Sequence, residues 1–378
     1  MVVPADWKEV RLGEHAAFFK GNGLSKSQLI DDGPQQCVHY GELFTHYGPV
    51  IENVTNKCVA FEGSFKSLAG DVLMPGSDVT PRGLATASAI KVSDVVLGGD
   101  VIVIRTKPTS LYGPFLSNFI RMSKGRVLRL VKGSTVYHIH AKDLADLEVL
   151  MPPLKEQEAI ADALSDADVA IESLDALVAK KRDLKQATMQ QLLTGRTRLP
   201  GFTADWNEVR LGSFISLRTG KLDVNAGSPD GVFPFFTCSQ ETLRINHAEF
   251  SGKSVIVAGN GDLGVKFFDG EFNAYQRTYI LQSLDERNLD VSFLYAYMLR
   301  YVESLRKATQ GSTIQYLKKQ QFTEARLPLP VLGEQQAIAE ALTVMDDELG
   351  ALTAQVSKLR MVKEGMMQDL LTGKVRLV

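Results

Sequence analysis

The strongest constraint on this chain is that it contains one design twice. Ala5-Asp6-Trp7-Lys8-Glu9-Val10-Arg11-Leu12-Gly13 returns as Ala204-Asp205-Trp206-Asn207-Glu208-Val209-Arg210-Leu211-Gly212, at an offset of 199 residues. Further on the offset becomes 178. Lys155 to Leu199 aligns without a gap on Gly333 to Leu377, and 22 of those 45 pairs are identical. Gly133-Ser134-Thr135-Val136 falls on Gly311-Ser312-Thr313-Ile314 in the same register, and Phe115-Leu116 falls on Phe293-Leu294. The first copy is therefore longer by 21 residues, all lying roughly between positions 21 and 100. The ends of the two copies are alike and their middles differ, as expected of duplication followed by divergence.

Each copy closes on an amphipathic helix of unusual length. Steps of four and three from Ile160 pass through Leu164, Ala167, Ile171, Leu174, Val178, Lys181, Lys185, Thr188 and Leu192. The same steps from Ile338 pass through Leu342, Met345, Leu349, Leu352, Val356, Leu359, Lys363, Met366 and Leu370. An apolar period of 3.5 residues held this long is a coiled-coil seam. Pro152-Pro153 and Pro330 mark the starts, Glu156 and Glu334 favour the dipole of the first turn, and Thr194-Gly195 and Thr372-Gly373 supply the stops. A helix of about 40 residues is about 60 Å long. The second middle segment receives the end of one helix and emits the start of the other. Compact domains often keep their termini together, so the helices are expected to run antiparallel. By the same logic Arg376-Leu377-Val378 belongs beside Pro4-Ala5-Asp6-Trp7, giving a nearly circular chain with approximate two-fold symmetry. The expected fold is mixed α/β: two globular modules separated by two long antiparallel coiled-coil helices. Residues 1–153 form the first module, 154–195 the first helix, 196–203 a linker, 204–332 the second module and 333–378 the second helix.

Composition bounds the rest. At 378 residues, 44% hydrophobic and 23% charged, the chain resembles an ordinary globular protein. No apolar run reaches the ~18 residues of a membrane span, and the first residues lack a signal-peptide pattern. Cys37, Cys58 and Cys238 show no paired spacing, which fits reduced thiols in a cytoplasm. The net charge of −2 is low for a nucleic-acid binder, but the sum hides a pattern. Between Val101 and Lys142 there are eight basic residues and no acid, whereas the long helices carry more acids than bases. The middles read as mixed strands and helices, with strand-like runs at Asp71 to Met74, Val101 to Ile104, Lys253 to Ala258 and Thr278 to Leu281. Helices are expected at Pro114 to Met122 and Ser292 to Ala308.

Arg and Lys can bond guanine edges, Asn and Gln adenine edges, and Ser and Thr phosphates. On that chemistry the candidate DNA contacts in the first copy are Arg105, Lys107, Arg121, Lys124, Arg126, Arg129, Lys132, Ser134, Thr135 and His138. In the second they are Asn260, Lys266, Gln276, Arg277, Arg306, Lys307, Gln310, Ser312, Thr313, Gln315, Lys318 and Lys319. Other motifs do not survive inspection. Gly259-Asn260-Gly261-Asp262-Leu263-Gly264 has dinucleotide-binding spacing, but the following segment reads as strand and turn where a helix is needed. His138-x-His140 has no further ligand pattern around it, so no metal site is expected. No nucleophile elbow, phosphate loop, methylase motif or paired carboxylate spacing is present.

Taken together, these residues resemble the specificity subunits of Type I restriction–modification systems. Pro152-Pro153-Leu154-Lys155-Glu156-Gln157 with Ile160, ending Gln191-Leu192-Leu193-Thr194-Gly195, is similar to their central region. Pro330-Val331-Leu332-Gly333-Glu334-Gln335 with Ile338, ending Asp369-Leu370-Leu371-Thr372-Gly373, is similar to their distal region. Trp-x-x-x-x-Leu-Gly at Trp7 and Trp206 resembles the start of a target recognition domain. The resemblance implies a non-catalytic DNA-binding subunit in which each recognition domain reads half of a bipartite, asymmetric site and the helices set the spacer. It further implies docking of two methyltransferase subunits, which bind S-adenosylmethionine, and of two restriction subunits, which use ATP and magnesium, with no cofactor in this chain. The competing readings are a coiled-coil scaffold and a stand-alone DNA-modifying or cofactor-binding enzyme.

Overall fold

A computed structural model describes residues 4–59, 61–308 and 316–377. The chain divides into two compact units, Met1–Asp175 with Gln355–Val378, and Ala176–Ala354. Both long helices are continuous, Leu154–Leu192 and Leu332–Leu370, at 39 residues each.

The first unit is built on a five-stranded sheet. Its order is Ala16–Lys20, Val101–Thr106, Val72–Pro75, Ser88–Ile90, Val50–Ile51. The run Val101 to Ile104 has no polar residue because both faces of this strand are covered. Ile102 and Ile104 point into the core beneath the helix Gly113–Met122, with Phe115 and Phe119. Val101 and Val103 point the opposite way, against Leu43, Ile51 and Leu73. A smaller four-stranded sheet, holding the buried Cys37 and Cys58, completes that second layer. Burial and the neighbouring Cys58 push the Cys37 thiol up to about 12.

The second unit repeats the plan with different residues. Its sheet runs Ile215–Thr219, Thr278–Ser283, Ser254–Ala258, Val265–Phe268. Val255, Val257 and Leu281 face the helix Val291–Ala308, while Ile256 and Ile280 face a phenylalanine cluster of Phe236, Phe250 and Phe272. Each fully buried aliphatic or aromatic side chain contributes about 1.5–3 kcal/mol relative to leaving it exposed.

The like ends form a joint in each unit. Lys8–Arg11 pairs antiparallel with Glu148–Met151, and Asn207–Arg210 with Arg326–Leu329, so the start of each module lies beside the strand that enters its long helix. Glu156 is fully buried there. It accepts from Trp7 Nε1 at 3.0 Å and from Arg376, whose guanidinium also reaches Asp6 at 2.8 and 3.0 Å. In the second unit Glu334, equally buried, accepts from Trp206 Nε1 at 3.0 Å and from two Arg198 nitrogens at 2.6 Å. Each arginine also lies over the indole, at 5.8 Å for Arg376 and 5.4 Å for Arg198. The next residue locks the helix start. Gln157 bonds the backbone of Tyr112, Ser110 and Pro152, and Gln335 that of Asp290, Asn288 and Pro330. The Arg376–Asp6 pair sets the end of the chain against its beginning, as the repeat requires.

The helix seam is antiparallel within each unit. In the first, Asp168 meets Lys363 and Asp175 meets Arg360 at 2.6 Å. In the second, Lys181 meets Glu348 at 2.6 Å and Lys185 meets Asp346. Among the seam residues, Ile160, Leu164, Ile171, Val178, Leu192, Ile338, Leu342, Val356 and Leu370 are buried. Leu174, Met345, Leu349, Leu352, Leu359 and Met366 are half-buried. The lysines that interrupt the apolar stripe at 181, 185 and 363 are met by acids of the opposite helix. Gly195 and Gly373 take φ of +68° and +73° just past the helix ends, the left-handed cap expected there.

Candidate nucleic-acid interface

In the first unit the helix Gly113–Met122 runs into the short helix Lys124–Leu128 and then a hairpin. Lys132–Gly133 pairs with Tyr137–His138, which pairs in turn with Ser77–Asp78. The hairpin tip leaves Ser134, Thr135 and Val136 exposed, with Lys132 and His138 opposite each other on its arms. Packed beside it is the 3-10 turn Pro81–Ala85. A side chain at Gly83 would meet the Asp78 carboxylate, which would have to turn away from the Thr80 hydroxyl it accepts from. The turn presents Arg82, an exposed cation that the charge pattern alone missed because it lies outside the Val101–Lys142 run. Among the described residues Arg82, Lys124 and Arg129 form no ion pair. Lys132 reaches Asp143 at 2.8 Å and holds that carboxyl below its usual range.

The remaining cations of this set have internal partners. Arg105 donates twice to the buried Asp71 carboxylate, at 2.8 Å each, and lies over the Phe19 ring. Arg121 points inward and donates to Tyr47 O at 3.1 Å and Ser88 Oγ at 3.2 Å, and burial brings its pKa down to about 10. Lys107 donates to Glu14 O at 2.7 Å, and Arg126 to Glu9 at 2.8 Å. The rings of His138 and His140 lie parallel at 6.4 Å. Among the described residues no group of three or more His, Cys, Asp or Glu is arranged to hold a metal.

In the second unit, Gly259 to Gly264 is the loop of an antiparallel hairpin between Ser254–Ala258 and Val265–Phe268, with no helix following it. Three segments converge at this loop. Gly259 N donates to Arg277 O, and Leu317 N donates to Gly259 O, both at 2.8 Å. Asn260 forms a bridge with Tyr316. The resulting surface exposes Gln276, Arg277, Lys318 and Lys319, with Arg277 lying 5.9 Å over the exposed Tyr316 ring. Tyr316 is a further contact candidate, an aromatic outside the cationic, amide and aliphatic hydroxyl side chains expected to meet DNA. Lys266 instead caps the Ser239 and Gln240 carbonyls at 3.1 and 2.7 Å, and burial lowers its pKa. Arg306 donates to Glu303 at 2.7 Å and to Asp262 O, and Lys307 is 3.9 Å from Glu303. Gln310, Ser312, Thr313 and Gln315 lie outside the described residues. Each unit therefore carries one exposed basic and hydroxyl- or amide-bearing surface, built by different loops.

The family description of the Type I restriction modification DNA specificity domain matches the chain twice, over residues 4–179 and 203–358. The chain belongs to this family. Its two specificity domains correspond to the two copies seen in the sequence. Over 168 residues the chain is 36% identical to the specificity subunit of the Type I restriction enzyme EcoDI of Escherichia coli, a match spanning 44% of this chain and 37% of that relative. It is 21% identical to the MjaVIII specificity subunit of Methanocaldococcus jannaschii over 99% of this chain and 94% of the relative. The crystal structure of a Type I system S subunit from M. genitalium aligns with a TM-score of 0.65 at 16% identity, covering 98% of both chains. A chain from a structure concerned with complex assembly and conformational transition of the type I system aligns at 0.60, also at 16% identity, over 99% of this chain and 100% of that one. At such identities the likeness establishes the fold. For a DNA specificity subunit, the two dissimilar basic surfaces are where DNA recognition is to be sought. No helix among the described residues is long and apolar enough to cross a membrane.

Proposed function

We propose that each specificity domain reads one half of a bipartite, asymmetric DNA site, and that the two long helices fix the gap between the halves and help to dock methyltransferase subunits. The observation that carries this reading is the contrast within the repeat. The Trp–Glu–Arg joint and the ion-paired helix seam occur twice in nearly the same form, whereas the exposed basic loops are unlike. A shared frame with different loops suits a subunit that positions two readers of different sequence. The chain itself supplies binding and orientation. Methyl transfer from S-adenosylmethionine is assigned to the modification partner, and ATP- and magnesium-dependent translocation and cleavage to a restriction partner. A methylated adenine would be flipped into the partner's site, since an in-stack base is out of reach of such chemistry.

Single-molecule methylation sequencing of host DNA with and without the gene tests the reading. Loss of one bipartite motif on deletion is the expected result. An unchanged methylome, or methyl transfer by the purified chain alone, refutes it.

A further inference from the structure

We propose that a basic cavity against the last turns of a long helix in each unit clamps the DNA sugar–phosphate backbone, beside the loops that read bases. The proposal rests on the DNA-reading function above. In the first unit the cavity measures about 570 Å³ and lies where the turn Pro81–Ala85 and the helix Gly113–Met122 meet the last third of the second long helix. Four cations line it, Arg82, Arg121, Lys124 and Lys363, against one acid, Glu364. In the second unit the cavity measures about 250 Å³ and lies between the helix Val291–Ala308 and the last turns of the first long helix. Arg196, Arg300 and Lys307 line it, against Glu303.

The repeat relates one wall of these cavities but not their cations: at the offset of 178 Arg121 falls on Leu299, Lys124 on Val302 and Arg300 on Met122. The offset of 178 places Met367 on Met189, Gln368 on Gln190 and Glu364 on Gln186, so the long helices supply nearly the same wall twice. A shared wall and an excess of cations, with those cations at different positions, suit a contact that two different half-sites have in common. What two different half-sites share is the backbone, and cations with amide donors are the chemistry that contacts phosphate. The cations at the two mouths are available. Arg82, Lys124 and Arg196 are exposed and form no ion pair among the described residues, and Arg300, whose guanidinium lies over the Tyr297 ring, has a buried Nε without a hydrogen-bond acceptor. Arg121 and Lys363, committed to Tyr47, Ser88 and Asp168, shape the floor instead.

The test uses the full chain assembled with its modification subunits. Binding is titrated against salt on two duplexes, one carrying the motif mapped in the host and one with both half-sites scrambled. The variants are Arg82→Ala with Lys124→Ala, and Arg196→Ala with Lys307→Ala. Each pair is expected to weaken both duplexes by the same factor, roughly five- to tenfold at physiological salt, and to flatten the slope of log K against log salt by about one to two. The methylated motif should not change, and Arg82→Lys with Lys124→Arg should restore the slope. An unaltered slope, or a loss confined to the motif duplex, overturns the clamp. So does intact DNA binding with loss of the modification subunits on size-exclusion chromatography, which would make the cavity a protein-docking site. Absence of salt-dependent binding by the unaltered complex would instead remove the DNA-reading function beneath it.

Discussion

Glu156 and Glu334 are the two carboxylates on which the like ends of the units converge. Each is fully buried, and each takes one indole and one guanidinium. Neutralising Glu334 leaves the Arg198 guanidinium without its carboxylate, but at 26% exposed that group keeps part of its water, so the loss is that of charged hydrogen bonds, about 1.5–3 kcal/mol. Glu334→Gln is therefore expected to lower stability by about 2 kcal/mol, read as an earlier urea midpoint. Trp206→Phe, which gives up one hydrogen bond and keeps most of the ring, should cost about 1 kcal/mol. Equal effects of the two variants would show that the charge is not what holds the joint. The surface carboxylates give the pH dependence. Arg376 holds Asp6 below its ordinary 3.8, and Lys221 does the same to Glu249 below 4.5. A carboxyl with a lowered folded pKa stabilises fully above its unfolded value, and that contribution disappears as pH falls through the folded one. Stability should thus be level between about pH 7 and 5 and decline below about pH 4. Stability that instead rose on acidification from pH 5 to 3 would contradict these assignments.

At the scale of elements, the seam is specified by charge as well as by apolar spacing. Lys185 is 18% exposed and faces Asp346, and Lys363 is 15% exposed and faces Asp168. Lys185→Glu should destabilise by about 1–2 kcal/mol through like-charge repulsion in a partly dry seam, and adding Asp346→Lys should recover most of the loss. Additive losses in the double variant, measured by thermal unfolding, would mean that the pair does not set the register. Seam periodicity, helix caps, the strands Val101–Thr106 and Ser254–Ala258, and the hairpin nature of the Gly259–Gly264 loop were all legible in the sequence. Each follows from local rules: a 3.5-residue period, a glycine past a helix end, an apolar run too short for a helix. The candidate interface was less legible. Arg105 and Arg121 belong to the basic run, yet Asp71 and the Tyr47 carbonyl, distant in sequence, engage them. Arg82 and Tyr316 reach the surface beside these residues through loops whose course depends on tertiary packing. Spacing identifies which residues could bind a phosphate or a base edge, but not which cations the fold has already used.

For the molecule as a whole, the proposal turns on how two weak contacts become one strong one. A short half-site contributes little affinity by itself, and joining two readers makes the second contact effectively intramolecular. That advantage is lost when the link does not match the separation of the half-sites. Both helices are continuous over 39 residues, and each unit keeps its own ion pairs, Asp168–Lys363 and Asp175–Arg360 in one, Lys181–Glu348 and Lys185–Asp346 in the other. Seven residues inserted after Asp175 and another seven after Ala354 would leave every one of those pairs intact while preserving the seam period. The added length is about 10 Å, which against 3.4 Å per base pair is about three base pairs. The doubly inserted protein is expected to methylate the same two half-sites at a gap longer by about three. Insertion in one helix only should abolish methylation, because seven extra residues on one side have no opposite turn to pack against. If the double insertion methylates at the original gap, the helices do not measure DNA, and the spacing must be set within the specificity domains or by the partner subunits.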